Sequence, residues 1–184
     1  PALFSFNQSD NQASYYFETV TIDGVEVGSD DWVGAFNGDV CVGARQWDIS
    51  QCQSNSCEVV VMGENQFDQT NGYMQDGQIP SFKIYDASED TYYVAIAAGG
   101  VAGYDGSTCP EGSTVPDCME WAYNHQVLIQ GLNVEQDCNG DLGGTAFEDS
   151  CDVCSGGNSE HEENSDQDCN GDCFGSATLD SCGE

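Results

Sequence analysis

The sequence predicts an all-β chain, an antiparallel β-sandwich over residues 1–134 followed by an irregular repeat segment over residues 135–184. Three observations predict it. Short apolar runs alternate with turn residues through the first part, no stretch of ten or more residues keeps a 3.6-residue apolar period, and the composition breaks near Val134. Before the break lie every Trp and Tyr and nearly all the β-branched residues.

Taken in order, the strand-like runs are Ala2–Phe6, Tyr15–Ile22, Trp32–Phe36, Val40–Ala44, Glu58–Met62, Phe82–Tyr85, Tyr92–Ala97 and Gln126–Val134. Period-two alternation is clearest in Tyr15–Ile22 and Phe82–Tyr85, as expected of strands with one buried face. Asp23-Gly24, Asn37-Gly38-Asp39, Asn71-Gly72 and Asp76-Gly77 punctuate the runs, and Asn37-Gly38-Asp39 between two apolar runs predicts a hairpin. The run Ala2–Phe6 either pairs within its own sheet or adds to the exposed sheet edge of a neighbour. Asn7-Gln8-Ser9, just after it, is the one N-x-S/T sequon.

Arg45 and Lys83 are the only Lys or Arg residues, against 33 acidic ones, for a formal charge of −31. Nucleic acid and anionic membrane surfaces need a basic face and are excluded as partners. No apolar stretch approaches 18 residues, so membrane insertion is not expected. Such acidity calls for cations, either as a solvated halophilic shell or as carboxylate ligands for a hard ion such as calcium. Only the positions of the acids distinguish the two.

Residues 135–184 carry 14 acids, no Lys or Arg, and six cysteines. Their other apolar side chains are Leu142, Ala146, Phe147, Val153, Phe174, Ala177 and Leu179. These cannot offset about 1–2 kcal/mol of conformational entropy per ordered residue. An internal repeat supplies the missing device. DCNGDLGGTAFEDSCD (137–152) and DCNGDCFGSATLDSCG (168–183) agree at ten of sixteen positions, at an offset of 31. Acidity alone would let positions drift, whereas here oxygens at alternate spacing, glycines and cysteines are retained.

Asp137, Asn139 and Asp141 occupy positions 1, 3 and 5 of one loop, and Asp168, Asn170 and Asp172 those of the other. Asp149 and Asp180 stand at position 13. Alternating oxygens on a curled, Gly-rich backbone aim at one centre, and all-oxygen ligation favours calcium. An EF-hand is excluded: position 6 lacks the turn glycine, position 12 is Glu148 in one copy and Leu179 in the other, and no amphipathic helices flank the loops. The pattern DCNGD…G.A..D.C resembles thrombospondin type-3-like calcium repeats of secreted multidomain proteins. In repeats of that kind the position-5 ligand can be a backbone carbonyl, which makes Asp141 and Asp172 weaker candidates than Asp137, Asn139 and Asp149. The run DWVGAFNGDVCVGARQWD (31–48), with GYMQDGQIPSFKIYD further on (72–86), resembles a β-sandwich module of secreted bacterial surface proteins that precedes such repeats.

Eleven cysteines point to disulfides in an oxidising, extracellular compartment. Spacing suggests Cys52–Cys57, Cys109–Cys118, Cys173–Cys182, Cys154–Cys169 and Cys138–Cys151, leaving Cys41 as a buried thiol. Arg45 is expected to pair with Asp30, Asp31 or Asp48. Trp32, Trp47 and Trp121 are read as packing residues, with a carbohydrate platform as the alternative. Asp30, Asp31, Asp39, Glu64 and Asp68 offer a further cation site without a repeat to support it. No GxSxG, P-loop or HExxH occurs, and paired carboxylates are too numerous to single out an acid and a base. The start at Pro1 reads as a mature or excised product, and the second copy's stop mid-repeat as a chain that continues or docks onto a neighbour. The function expected is that of a non-enzymatic, extracellular structural protein, a filament subunit joined head to tail through a calcium-stiffened linker. The alternative is an adhesive or carbohydrate-binding module.

Overall fold

Eight strands form one curled, mixed sheet in the computed structural model, which describes residues 1–52, 56–103 and 112–178. They are β1 (Gln12–Ile22), β2 (Val25–Glu26), β3 (Trp32–Asn37), β4 (Val40–Gln46), β5 (Cys57–Met62), β6 (Ser81–Asp86), β7 (Thr91–Gly103) and β8 (Gln126–Val134). Their spatial order is β2-β1-β8-β7-β6-β3-β4, with β5 also paired to β1. No α-helix occurs among the described residues. The chain divides into two compact units, Pro1–Val134 and Glu135–Glu184.

Period-two alternation builds the core of the first unit. β1 buries Ala13, Tyr15 and Phe17, β5 buries Cys57, Val59 and Val61, β6 buries Phe82 and Ile84, and β8 buries Val127 and Ile129. The Phe82 ring meets Phe17 at 5.0 Å and Tyr15 at 5.8 Å, although β6 and β1 are not neighbours in the sheet. Each such side chain contributes about 1.5–3 kcal/mol when fully buried. Trp47 and Trp121 are both core residues at 3 % exposure, and the Trp121 indole N–H donates to the Val61 carbonyl at 3.0 Å. Trp32 is half-buried.

The curl lies in β7. Its first half pairs with β6 and its second half with β8, with a register shift between Ala98 and Val101. Gly99 at that bulge has φ +84°, a conformation other residues adopt at a cost. The hairpin expected at Asn37-Gly38-Asp39 joins β3 to β4.

Several expectations are corrected. β1 and β8 pair in parallel, from Ser14↔Gln126 to Ile22↔Val134, so the sheet is mixed rather than antiparallel. A tight turn forces antiparallel pairing only on strands adjacent in sequence, and more than a hundred residues separate these two. Ala2–Phe4 is a 3₁₀ turn, not a strand; Phe4 buries its ring against Phe36 and Cys41. Arg45 forms its ion pair with Glu58, at 3.9 Å, rather than with Asp30, Asp31 or Asp48, because β4 carries it toward β5, although its charge still favours the ionised Asp48. The two Asp31 carboxylate oxygens accept from the Gly28 and Ala87 amides.

Cys52–Cys57 forms as expected, and Cys41 is a buried free thiol whose pKa burial pushes up. Cys109 lies outside the described residues, as does the Cys109–Cys118 pairing. In the second unit the bonds between described residues include Cys138–Cys154 and Cys151–Cys173, which replace the three pairings drawn from spacing. The backbone explains the difference. A turn at Asp149 folds β9 (Phe147–Glu148) back onto β10 (Cys154–Ser155), and the Cα atoms brought to 5.6 and 5.4 Å are not those nearest in sequence.

Candidate functional site: the aspartate-anchored turns

Asp137 stands at the centre of the first repeat loop. Its Oδ1 accepts from the backbone N–H of Asn139 and of Asp141, each at 2.9 Å, and its Oδ2 accepts from the Ala146 N–H at 2.9 Å. Backbone bonds close the same turn: Asp137 N–H donates to the Asp141 carbonyl (3.0 Å), and the Gly140 N–H to the Asp137 carbonyl (2.9 Å). Asp168 repeats this bond for bond, taking the N–H groups of Asn170 (2.9 Å), Asp172 (3.1 Å) and Ala177 (2.9 Å).

The retained glycines now have physical roles. Gly140 and Gly171 both sit at φ +85°, where the turn needs a left-handed residue. Gly144 and Gly175 lie so close to the Asp137 and Asp168 carboxylates that a Cβ would collide with them. Where the first copy has Gly143 at φ +62°, the second places Phe174 at φ +56°. The second loop therefore carries backbone strain that the first avoids.

Asp149 builds the same turn a third time, which the repeat alignment conceals because it assigns this residue to position 13. Its Oδ1 accepts from the amides of Cys151 (2.8 Å) and Val153 (3.2 Å), and its Oδ2 accepts from the Asn164 amide (2.9 Å) and the Ser155 hydroxyl (2.8 Å). Asp149 is buried, at 8 % exposure, with its charge answered entirely by hydrogen bonds. These bonds, the Asn164 amide foremost, hold its carboxyl down at about 2. Asp137 and Asp168 are lowered too, chiefly by the Ala146 and Ala177 amides. The sequence signal for this third turn is Asp149 followed by Val153 at the same spacing as Asp137 and Asp141. It is masked because only the backbone of the later positions takes part.

A polar chain extends from Asp149. Ser155 Oγ lies 3.0 Å from His161 Nδ1, and His161 Nε2 lies 3.1 Å from Asp166 Oδ2. Neither Ser155 nor His161 was legible as part of a site. The row of Ser, His and Asp looks catalytic, but Ser155 is fully buried with its hydroxyl on Asp149, so it serves the fold.

The structure thus places Asp137 with Asn139 and Asp141, and Asp168 with Asn170 and Asp172, each trio in its own turn. Asn139 Nδ2 donates to Asp141 Oδ2 at 3.1 Å. Asp149 centres a separate turn, and Asp180 lies outside the described residues. Among the described residues no three His, Cys, Asp or Glu side chains converge as a metal-ligand group. No family model, no curated protein and no solved structure matches the chain.

Proposed function

We propose that the chain is a non-enzymatic extracellular structural protein, a subunit of a surface filament with a β-sandwich head and a stiff connector stabilised by disulfides and calcium. The observation that carries this reading is the threefold Asp-anchored turn. With few apolar side chains, residues 135–178 are held by three carboxylates that collect backbone amides and by disulfides, among them the interlaced Cys138–Cys154 and Cys151–Cys173. That is how a short, acidic, coreless segment is stiffened, and stiffness is what a connector needs. The disulfides favour an oxidising compartment. The sandwich reading is supported by Phe82 packing on Tyr15 and Phe17, and by Gly43 of β4, where a Cβ would strike the Val60 carbonyl of β5.

Calcium enters this proposal through the oxygens the turns leave over. A carboxylate offers about four lone-pair sites; Asp149 uses four and is a structural anchor, while Asp168 uses three, and Asp137 uses three with the Gly140 amide also turned toward it. The turns require only the amides of positions 3 and 5, which any residue but proline supplies. Yet both copies keep Asn139 and Asp141, Asn170 and Asp172. Oxygen donors at those positions suit calcium, whose shell of six to eight oxygens accepts backbone carbonyls and water as well.

Calorimetric titration of calcium into the full chain should saturate, and should weaken severalfold in Asp141→Asn and Asp172→Asn. A melting temperature indifferent to chelator but raised by molar salt would reject calcium in favour of a halophilic shell. Electron microscopy showing only monomers at every calcium level would reject the filament. A carbohydrate-binding role is the second reading, favoured by Trp32, Tyr85 and Tyr92, which lie opposite one another on three neighbouring strands. Glycan-array binding lost in Trp32→Ala would support it.

A further inference from the structure

The outer face of β3, β6 and β7 carries an apolar cluster separate from the core. Residues directly opposite one another share a face. The rows are therefore Trp32–Tyr85–Tyr92, then Gly34–Lys83–Val94, then Phe36–Ser81, with Ile96 two residues beyond Val94 on the same side of β7. Gly34 leaves a gap in the middle of this face, and Phe4 fills it: a Cβ on Gly34 would stand 2.7 Å from the Phe4 ring. The ring meets Tyr92 at 5.4 Å and Phe36 at 5.8 Å, both edge-on, and is only 6 % exposed.

The rest of the segment holds on by few contacts: Phe6 packs half-buried against the same cluster, and the Asn7 N–H donates to the Tyr73 hydroxyl at 2.6 Å. Leu3 is 52 % exposed, its N–H reaches the Tyr92 hydroxyl at 3.3 Å, and no ladder joins residues 1–6 to the sheet among the described residues. Val94 and Ile96, beside the groove, are 52 % and 67 % exposed. Phe4 thus acts as a plug on a short tether.

Charge indicates what else the groove accepts. At a formal −31, two copies repel over most of their surfaces. The groove is less affected, because Lys83, with its ammonium 4.7 Å from the Phe36 ring centroid, is the one charged residue in those rows, and Asp90 stands only at the rim, where it accepts from the Tyr85 hydroxyl at 2.6 Å. The segment is likewise uncharged at its side chains, since residues 1–9 hold no acid and no base.

We propose that this groove is a binding site for the segment Pro1–Phe6 of a second copy, exchanged for the chain's own, and that the exchange is the joint between subunits. The inference rests on the filament reading and names its contact. An identical segment fits by construction, and swapping it costs little because both states bury the same ring.

The test uses the full chain. A fluorescent peptide of sequence PALFSFN should bind Phe4→Ala at least tenfold more tightly than wild type, whose own Phe4 competes. Excess peptide should also shorten wild-type filaments. Failure of folded Phe4→Ala to bind the peptide at millimolar concentration overturns the proposal. Filaments that persist in excess peptide overturn it too and leave the filament reading standing, whereas chains monomeric under all conditions overturn both. A measurement on the occupied groove guards against a poorly folded variant. Light and heavy isotope-labelled copies carrying a photo-crosslinking residue in place of Leu3 are mixed and irradiated. Light-to-heavy links from position 3 to β3 or β7 support exchange, and same-label links alone overturn it.

Discussion

Replacing Cys151 and Cys173 together by serine should loosen the second unit while leaving the first intact. A disulfide closing n residues removes about 2.1 + 1.5R ln n cal/mol/K from the unfolded chain, so a separation of 22 residues is worth about 3.4 kcal/mol near 25 °C. The Cys138–Cys154 bond, left in place, spans 16 residues, worth about 3.1 kcal/mol on the same relation. The two loops overlap, so these values do not add. Intrinsic fluorescence cannot follow the change, because every Trp and Tyr lies in residues 1–134. Hydrogen exchange can: the amides of Ala146, Cys151 and Val153 donate to Asp137 or Asp149 and exchange only when their turn opens. At about 1.4 kcal/mol per factor of ten, their exchange should accelerate by about 250-fold, with the core amides of β1 and β8 unchanged. Exchange that stays at the wild-type rate would refute the assignment of the unit's stability to this bond. Peptide mapping that found Cys173 joined to Cys182 would refute the pairing itself.

Other consequences are testable in the same chain. Tyr15→Phe removes the hydroxyl that donates to the Met119 carbonyl at 2.9 Å in the core, and should cost about 1–2 kcal/mol in urea unfolding followed by Trp fluorescence. Gly43→Ala would drive a Cβ into the Val60 carbonyl, a backbone atom that cannot step aside, and should cost about 1–3 kcal/mol in the same experiment. For Asp149 the folded value of about 2 lies below the unfolded value of about 3.9, so its contribution is present above that unfolded value and disappears as pH falls toward 2. Melting of the second unit should fall across that window in wild type and be flatter in Asp149→Asn, as read by exchange of the same amides.

Much of the strand pattern was legible because period two is a property of neighbouring residues. Tyr15, Phe17, Val59, Phe82 and Ile84 alternate inward as their spacing indicates. What escaped depends on distant partners. Phe4 leaves the strand pattern because Gly34, thirty residues on, offers a gap. The repeat marked Asp137 and Asp168 as important, and the structure gives their carboxylates to backbone amides that a list of residue types does not show. Asp149 was visible as a repeat position but not as the centre of its own turn, because Cys151, Val153 and Asn164 contribute main chain only. Disulfide partners escaped for a related reason, since proximity follows the folded turns rather than sequence spacing.

The parallel register of β1 and β8 sets the order in which the molecule can be made. On a ribosome, β1 emerges early with one side of its ladder unfilled, and the strand that fills it arrives more than a hundred residues later. Neither a local hairpin nor a helix can substitute, so closure of the first unit awaits the end of β8 at Val134 and must overcome a long loop's entropy. Until then β5 can pair with one edge of β1 while the other edge stays open, a state prone to aggregation. The high negative charge, repulsive between copies over most of their surface, also opposes association of these nascent chains during that interval.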